Sequence, residues 1–280
     1  MASLNLSPRL TVATVTYNAV NTLGPTVASV ARQSARNRFE YIVVDGFSMD
    51  GSIDLIKDFF DAKLVDYWIS SPDAGIYDAM NRVIELARGE YILFLNAGDE
   101  FAEADTVEKF LDWQGDKPDY VWGDCLIKSQ GKLVSDPANK MLQHIYRQMT
   151  VSHQSIAIRK ALLKEHNFRR HYKVAADYEV LCHVITSGRR GLYRPIPVAL
   201  IEEEGFSSRN FYIGLREKRT ISYHYFPKDR WRSGPYFLTW GVYMKVKVTL
   251  QTILKSWRDY LKEVYGAKST SGVSKGLKRS

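Results

Sequence analysis

Residues 89–101 read G-E-Y-I-L-F-L-N-A-G-D-E-F. Within this stretch, residues 91–95 form a short apolar run with aromatic and branched side chains, which is typical of a strand buried on both faces of a mainly parallel sheet. The run ends at Asn96, Gly98 and Asp99, so a carboxylate follows the carboxyl end of the strand. Open α/β sheets bind ligands at that edge. The stretch predicts a strand and a ligand site, although these three residues alone would also suit a simple turn.

Strand and helix patterns alternate through the residues that precede this stretch. Three strands and three helices are predicted, the strands over 10–16, 41–45 and 66–70 and the helices over 21–34, 52–60 and 76–88. This order predicts βαβ units and a parallel sheet with right-handed crossovers. The second strand also ends in an acid, Asp45, so we expect Asp45 and Asp99 to line one crevice.

The totals for the 280 residues describe an ordinary globular chain, with 45% hydrophobic and 25% charged residues. A chain of this length can bury a sizeable core, either in one large domain or in one domain with an appendage. Its two cysteines, Cys125 and Cys182, match no metal or redox spacing, and the sequence begins without a signal-peptide pattern. These features predict a reduced, cytoplasmic compartment.

The net charge of +8 is unevenly distributed along the chain. Residues 211–280 contain 15 Lys and Arg against 4 Asp and Glu, whereas residues 1–210 contain 24 against 27. The basic character therefore belongs to the C-terminal part. It is evidence about where in the cell the protein lies, and it says little about the chemistry of the main domain. Because the larger part is slightly acidic, the alternative of a non-catalytic nucleic-acid-binding protein is disfavoured, and no nucleic-acid partner is expected.

Several common nucleotide and metal motifs are absent from the sequence. No G-x-G-x-x-G follows the first predicted strand and no P-loop occurs, which argues against a dinucleotide-dependent dehydrogenase and against an ATPase. Residues 45–51 imitate the start of a calcium loop, but Ile56 stands where that loop needs a bidentate Glu. A nucleotidyltransferase, a second enzymatic alternative, would need a phosphate-binding loop of Gly, Arg or Lys where Tyr17 and Asn18 stand.

Six segments together resemble the family-2 glycosyltransferases, which have the GT-A fold. They are V-T-Y-N at 15–18, V-V-D-G-F-S-M-D-G-S at 43–52, S-P-D-A-G-I-Y-D-A-M-N at 71–81, G-E-Y-I-L-F-L-N-A-G-D at 89–99, S-H-Q-S at 152–155 and A-A-D-Y-E-V-L at 175–181. The resemblance covers roughly residues 8–205 in consistent order, and it is strongest to the bacterial branch that builds surface or capsular polysaccharide. It implies a Rossmann-like, mostly parallel open sheet flanked by helices.

The resemblance implies that Asp99 holds a divalent cation, Mn²⁺ or Mg²⁺, on the diphosphate of a nucleotide-sugar. Such a cation would offset the negative charge that develops as the nucleoside diphosphate departs. Many relatives carry two or three acids where this chain has Asn96, Ala97, Gly98 and Asp99. Because one carboxylate is present, metal binding is expected to depend on the nucleotide's own phosphates.

Other matches imply the walls of a nucleotide-sugar pocket, with a UDP-sugar as the expected donor. Asp45 matches an acid beside the nucleobase, although Gly46 stands where many relatives carry a second acid. Asp73 matches a loop acid that borders the same pocket. The other donor-binding residues that the resemblance implies are Thr16, Tyr17, Asn18, Asn96, Ala97, Gly98, His153 and Gln154.

Asp177 matches the catalytic base, and it is expected just before a helix over 178–187, where a carboxylate could equally serve as a helix cap. In an inverting transfer, the base takes the proton of the acceptor hydroxyl, whose oxygen attacks the anomeric carbon opposite the leaving diphosphate. His153 and Gln154 match a pair on the acceptor side, where they could position the donor phosphates or the acceptor. A histidine in such a place is more often structural.

The C-terminal part is predicted to contain two helices, over 211–225 and 236–265, followed by a disordered tail over 268–280. No run of about 18 uninterrupted apolar residues occurs, so a spanning helix is not expected. Basic residues interleaved with Trp, Tyr and Leu suit a helix at an anionic membrane surface. A helical hairpin packed on the domain, or on a second subunit in an oligomer, is the alternative. The predicted domains are 1–210, 211–267 and the tail.

The expected function is metal-dependent, inverting transfer of one sugar from a nucleotide-sugar to a glycan acceptor in bacterial polysaccharide biosynthesis. Single transfer is favoured over polymerisation because the Q-x-x-R-W motif of processive synthases is absent, with Pro227 in place of its Gln. An acceptor on a polyprenyl carrier would explain the basic, aromatic C-terminal part. The expected location is peripheral, on the inner face of the cell membrane.

Overall fold

The computed structural model of the protein describes residues 8–112, 117–129, 131–202 and 210–266. Its strands are β1 (Leu10–Thr16), β2 (Phe39–Asp45), β3 (Tyr67–Ser70), β4 (Tyr91–Phe94), β5 (Glu100–Phe101), β6 (Tyr120–Ser129), β7 (Lys132–Asp136), β8 (Ile156–Arg159) and β9 (Gly191–Glu202). Its helices are α1 (Leu23–Ala31), α2 (Ser52–Asp61), α3 (Ile76–Leu86), α4 (Thr106–Phe110), α5 (Met141–His144), α6 (Lys160–Glu165), α7 (Ala176–Thr186), α8 (Phe211–Tyr225) and α9 (Arg230–Gly266).

The strands of the described residues form one sheet in the order β3-β2-β1-β4-β8-β6-β9-β5, with β7 paired to β6. β1 runs parallel to β2 and β4, and β2 runs parallel to β3. β8 is antiparallel to both of its neighbours, β4 and β6. The parallel half brings the carboxyl ends of β1, β2 and β4 to one edge, where Thr16 pairs with Asp45. The predicted mostly parallel, open sheet flanked by helices is confirmed.

Both faces of the sheet are covered, which explains why its central strands read as continuous apolar runs. Residues of one strand that point to opposite faces of the sheet pack into different hydrophobic cores. In β1, Leu10 and Val12 pack with α1 and α2, whereas Ala13 and Val15 pack with α3 and α7. A strand with one face in water would instead alternate between apolar and polar residues.

Gly89 lies in the connection between α3 and β4. The sequence predicted that it stops the helix, and α3 does end nearby, at Leu86. The structure gives a further reason for glycine: a Cβ at this position would lie 2.4 Å from the backbone nitrogen of Thr11 in β1. The Gly89 N–H also donates to the Thr11 hydroxyl at 3.0 Å. No side chain fits there, because β1 passes too close.

The C-terminal part contains both predicted helices, with α8 at its predicted bounds and α9 beginning at Arg230, before the predicted 236. The chain divides into two compact units, one ending at Ser233 and the other beginning at Gly234. α8 therefore belongs to the first unit, although the sequence placed a boundary after residue 210. Burial is the reason, since Ile221 and Ser222 of α8 are both fully buried. The predicted disordered tail, 268–280, lies outside the described residues.

Candidate active site

The turn that follows β4 carries the predicted metal ligand. The Asp99 N–H donates to the Asn96 carbonyl at 3.0 Å and closes a four-residue turn. Its third residue, Gly98, has a φ of 101°, which type II turns require and which favours glycine. The Gly98 N–H donates to the hydroxyl of Thr26 in α1 at 3.0 Å, and Ala97 packs partly buried against the α1 side of the core. These contacts fix the turn on both sides, and the turn in its place holds Asp99 in one position.

Asp99 is held by Gln154, which lies in a short 3-10 turn, His153–Ser155, before β8. The Gln154 side-chain amide donates to Asp99 Oδ2 at 2.7 Å, and the Ser152 hydroxyl donates to Gln154 Oε1. Burial raises the pKa of Asp99 above its ordinary value, and the hydrogen bond from Gln154 opposes this effect. A carboxylate in such a place gains from a cation that offsets its charge.

His153, the residue beside Gln154, connects the β4 edge with α7. Asn96 Nδ2 lies 2.9 Å from His153 Nε2, and His153 Nδ1 lies 3.5 Å from Asp177 Oδ2. An amide N–H can only donate, so the first contact requires an unprotonated Nε2. Nδ1, the other ring nitrogen, faces Asp177 and can carry a proton.

Asp177 lies in the first turn of α7, which begins at Ala176, two residues earlier than the predicted 178, so Asp177 is inside the helix and not just before it. Its Oδ1 accepts hydrogen bonds from the Tyr178 N–H at 2.8 Å and from the Tyr77 hydroxyl of α3 at 3.3 Å. Burial and the Asp177 carboxylate raise the pKa of Tyr77, so its hydroxyl stays protonated and donates. Asp177 therefore stabilises the helix start, as a cap does, and also faces His153 with its other oxygen.

Asp45, the acid at the end of β2, is fully buried, and its carboxylate faces the protein interior. It accepts hydrogen bonds from the Ser48 N–H at 2.9 Å, from the Ser48 hydroxyl, and from the Ser70 hydroxyl at 2.6 Å. These bonds tie the loop after β2 to the end of β3. The contact between Asp45 and a nucleobase stays a prediction, since all three partners here are protein groups.

The residues after β1 form the neighbouring wall. Thr16 is buried with its hydroxyl lacking a hydrogen-bond partner among the described residues, whereas Tyr17 is 66% exposed. Asn18 has a φ of 50°, its N–H donates to the Ser48 hydroxyl at 2.8 Å, and its side-chain oxygen accepts from the Met49 N–H at 3.0 Å. This wall and the Asp45 loop are therefore one hydrogen-bonded unit, with the Tyr17 ring open to solvent.

Asp73 reaches over Gly46. A Cβ at Gly46 would lie only 2.6 Å from Asp73 Oδ2, so a side chain at position 46 would displace the Asp73 carboxylate. The other Asp73 oxygen accepts from the Gly75 N–H at 2.8 Å and fixes the loop. The Asp73 carboxylate therefore occupies the space that a side chain at position 46 would need.

The residues around Asp99 suit a hard cation that takes most of its ligands from elsewhere. No group of three His, Cys, Asp or Glu side chains able to bind a metal occurs within the described ranges. Asn96, however, keeps a buried side-chain oxygen with no hydrogen-bond partner there. One carboxylate and one amide oxygen are ligands that Mg²⁺ and Mn²⁺ accept, with the remaining positions left to phosphate and water.

The sequence matches the profile of Glycosyl transferase family 2 over residues 11–185. The chain is 32% identical over 180 residues to a PGL/p-HBAD biosynthesis glycosyltransferase of Mycobacterium bovis, a match covering 62% of this chain and 68% of the relative. This chain belongs to glycosyl transferase family 2. It is therefore a glycosyltransferase, and the predicted family resemblance is confirmed.

Two solved structures show the fold of the transferase. Staphylococcus aureus TarS in complex with UDP-GlcNAc superposes with a TM-score of 0.60 at 19% identity, over 76% of this chain and 66% of TarS residues 1–349. The mannosyltransferase PcManGT from Pyrobaculum calidifontis, in complex with GDP-Man and Mn²⁺, gives 0.59 at 18% identity, over 80% and 64%. These likenesses confirm the GT-A fold.

The sequence motifs did not reveal several residues of this site. Tyr77 stands within a matched segment and Thr26 within a predicted helix, but neither gives a sign of its contact, because the residues they contact are distant in sequence. Ser48 stands within a matched motif but gives no sign of bonding Asp45, and Ser70 merely ends a predicted strand. The transferase uses small hydroxyl side chains from separate elements, and their partners appear only when the strand ends meet.

Proposed function

We propose that the chain transfers one sugar from a UDP-sugar to a glycan acceptor with inversion at the anomeric carbon. The observation that carries this proposal is the His153–Ser155 turn, which links two carboxylates: Gln154 donates to Asp99, and His153 faces Asp177. One carboxylate is at the end of a buried strand and the other at the start of a helix. Two acids linked by one turn can serve separate roles in one reaction, one as the base and the other as the metal ligand.

Asp177 is the proposed base. It accepts the proton of the acceptor hydroxyl; that oxygen forms the new bond to the anomeric carbon, and the bond to the diphosphate breaks with its electron pair staying on the diphosphate. The Tyr77 hydroxyl donates to Asp177 Oδ1 and helps to orient the carboxylate, and His153 Nδ1 lies 3.5 Å from its other oxygen. The leaving group requires stabilisation of negative charge and no proton.

Asp99 and the Asn96 side-chain oxygen are the proposed protein ligands of Mn²⁺ or Mg²⁺ on the donor diphosphate. When bound, the cation would offset the charge of the departing diphosphate. Support comes from the neighbours, since PcManGT was solved with GDP-Man and Mn²⁺. Asp45, Asp73 and the wall from Thr16 to Asn18 are the proposed nucleotide-side contacts, and TarS with UDP-GlcNAc supports a uridine donor.

The second unit supports a lipid-linked acceptor. Of the residues described, no helix is both long and apolar enough to cross a bilayer. Beyond Gly234, α9 exposes apolar side chains on one helical stripe, namely Tyr243, Val246, Leu250, Ile253 and Trp257, each more than half exposed. Lys245, Lys247 and Arg258 lie off this stripe. We propose that this face lies in the interface of an anionic membrane on its cytoplasmic side, where positive charge favours lipid over a second, equally basic copy of the chain.

One experiment tests the proposed reaction. The full chain is incubated with a panel of UDP-sugars and Mn²⁺, with lipid-linked glycans as acceptors, and both UDP release and the anomeric configuration of the product are measured by NMR. We expect product with the anomeric configuration opposite to that of the donor. Retention of configuration would overturn the proposed mechanism, and absence of UDP release from every donor would overturn the proposed donor class.

A further inference from the structure

Glu217, on α8, reaches the loop that leads into the helix carrying Asp177. Its Oε1 accepts a hydrogen bond from the Lys173 N–H at 2.8 Å, and its Oε2 accepts from the Val174 and Ala175 N–H groups at 2.9 and 3.0 Å. One partly buried carboxylate thus binds three consecutive backbone N–H groups. All three belong to the residues just before α7.

Ala175 is the N-cap residue of α7, so its N–H is one of the helix-start donors that have no partner within the helix, and the N–H groups of Lys173 and Val174 directly precede it. α7 has no side-chain cap from its own N-cap residue, Ala175. A carboxylate bound there is favoured by charge-assisted hydrogen bonds and by the helix dipole. Glu217 therefore supplies from a distant helix what the local sequence lacks.

Two further contacts fix α8 against the same turn of α7. The Tyr225 hydroxyl donates to Glu179 Oε1 at 2.6 Å, and Glu179 lies two residues after Asp177. Gly214 packs on Val174 so closely that a Cβ would lie 3.0 Å from its side chain. α8 thus contacts the start of α7 on both sides of Asp177, even though the family match ends at residue 185.

We infer that Glu217 is a positioning residue for catalysis: through the backbone of residues 173–175 it sets where the Asp177 carboxylate lies. This inference rests on the proposed function for the role of Asp177. If Glu217 has this role, α8 contributes to catalysis by positioning Asp177, and Glu217 itself does not contact the substrate.

The structural half is tested by hydrogen exchange of the full chain. Glu217→Gln replaces one acceptor oxygen by an NH₂ group, which cannot accept, so at least one of the three N–H groups loses its partner. We expect exchange of the amides of residues 173–175 to accelerate by about tenfold or more, since hydrogen bonds to charged groups are the stronger ones. Glu85→Gln is the matched control, because Glu85 is 65% exposed and pairs with Lys164 at 3.2 Å. If the amides of residues 173–175 exchange at the same rate in Glu217→Gln and Glu85→Gln, the inference is overturned.

The catalytic half is tested by UDP release with Mn²⁺ from the UDP-sugar of the panel that the wild-type chain uses, after melting curves confirm that both variants are folded. A misplaced catalytic group lowers kcat, so we expect Glu217→Gln to lose roughly tenfold to a hundredfold in kcat with the donor KM unchanged. A changed KM with unaltered kcat would overturn the positioning role. If the wild-type chain releases no UDP from any donor of the panel, the proposed function fails and the catalytic half fails with it, whereas the exchange result stands independently of activity.

Discussion

His153 Nδ1 lies 3.5 Å from Asp177 Oδ2, although the two residues are 24 positions apart along the chain. The neighbour of His153, Gln154, donates to Asp99 at the end of β4. One short turn therefore spans the space between the proposed base and the proposed metal ligand. Substitutions at either carboxylate should affect different steps of the same transfer.

Asp177→Asn should lower the transfer rate by about a hundredfold or more, the usual scale for loss of a general base. Asparagine keeps the shape of the side chain and an oxygen that can accept from the Tyr178 N–H, so the start of α7 should be retained. Donor binding, measured by calorimetry with UDP and Mn²⁺, should stay near that of the wild type. A folded variant that transfers sugar at the normal rate would show that Asp177 is not the base.

Asp99→Asn should abolish the gain in UDP affinity that Mn²⁺ provides while leaving the protein at least as stable. The folded-state pKa of Asp99 is raised above its ordinary value of 3.8, so the ionised carboxylate costs stability as pH rises through that folded pKa. Asparagine removes this cost and still accepts from Gln154. Calorimetry with and without Mn²⁺, and melting at pH 7, measure the two effects. If Mn²⁺ raises the UDP affinity of the variant as much as that of the wild type, Asp99 is not a metal ligand.

Asp45→Ala should destabilise the first unit by about 2 kcal/mol, because it leaves the buried donors of Ser48 and the partly buried hydroxyl of Ser70 without their acceptor. Urea denaturation provides the free energy of unfolding. Asp54→Ala is the control: this side chain is 83% exposed and pairs with Lys57 on the surface, and such pairs contribute about 1 kcal/mol or less. Similar losses in the two variants would mean that the Asp45 bonds do not hold the loop.

Stability in acid should depend on Glu179. Burial would raise its pKa, but hydrogen bonds from His166 and Tyr225, with the charges of His166 and Arg169, lower it below the ordinary 4.5. Its stabilising contribution is complete above 4.5 and is lost as pH falls through the lower folded-state pKa. In melting curves recorded from pH 7 downwards, Glu179→Gln should lose less stability below 4.5 than the wild type does. If the stability of the wild type and of Glu179→Gln falls equally as the pH is lowered, Glu179 does not contribute to stability in this way.

Membrane attachment through α9 should be sensitive to charge placed on its exposed apolar stripe. Leu250→Glu should reduce sedimentation with phosphatidylserine-containing vesicles, and raised salt should reduce binding of the wild type. Leu133→Glu, at a leucine of β7 that is 63% exposed, provides the matched control and should sediment normally. If the wild type ignores vesicles and Leu250→Glu changes its oligomeric state, α9 packs against protein instead.

Much of the fold follows from local sequence. The runs in β1, β2 and β4 are buried on both faces, so their apolar composition marks them as strands without knowledge of their neighbours. Their order with α1, α2 and α3 determines a parallel sheet, and the carboxyl ends of parallel strands must meet at one edge. Asp99 and Asp45 could therefore be placed at that edge from the sequence.

Only the tertiary structure decided what these carboxylates contact. Asp45 turns inward to Ser48 and Ser70, Asp73 takes the space above Gly46, and His153 faces Asp177. The role of α8 was also invisible, since Glu217 binds backbone N–H groups more than 40 residues earlier. Apolar periodicity reports burial, which is a local property, whereas a hydrogen bond depends on the position of two atoms to within a few tenths of an ångström. That position is determined by how the elements pack, and no pattern along a single chain segment encodes it.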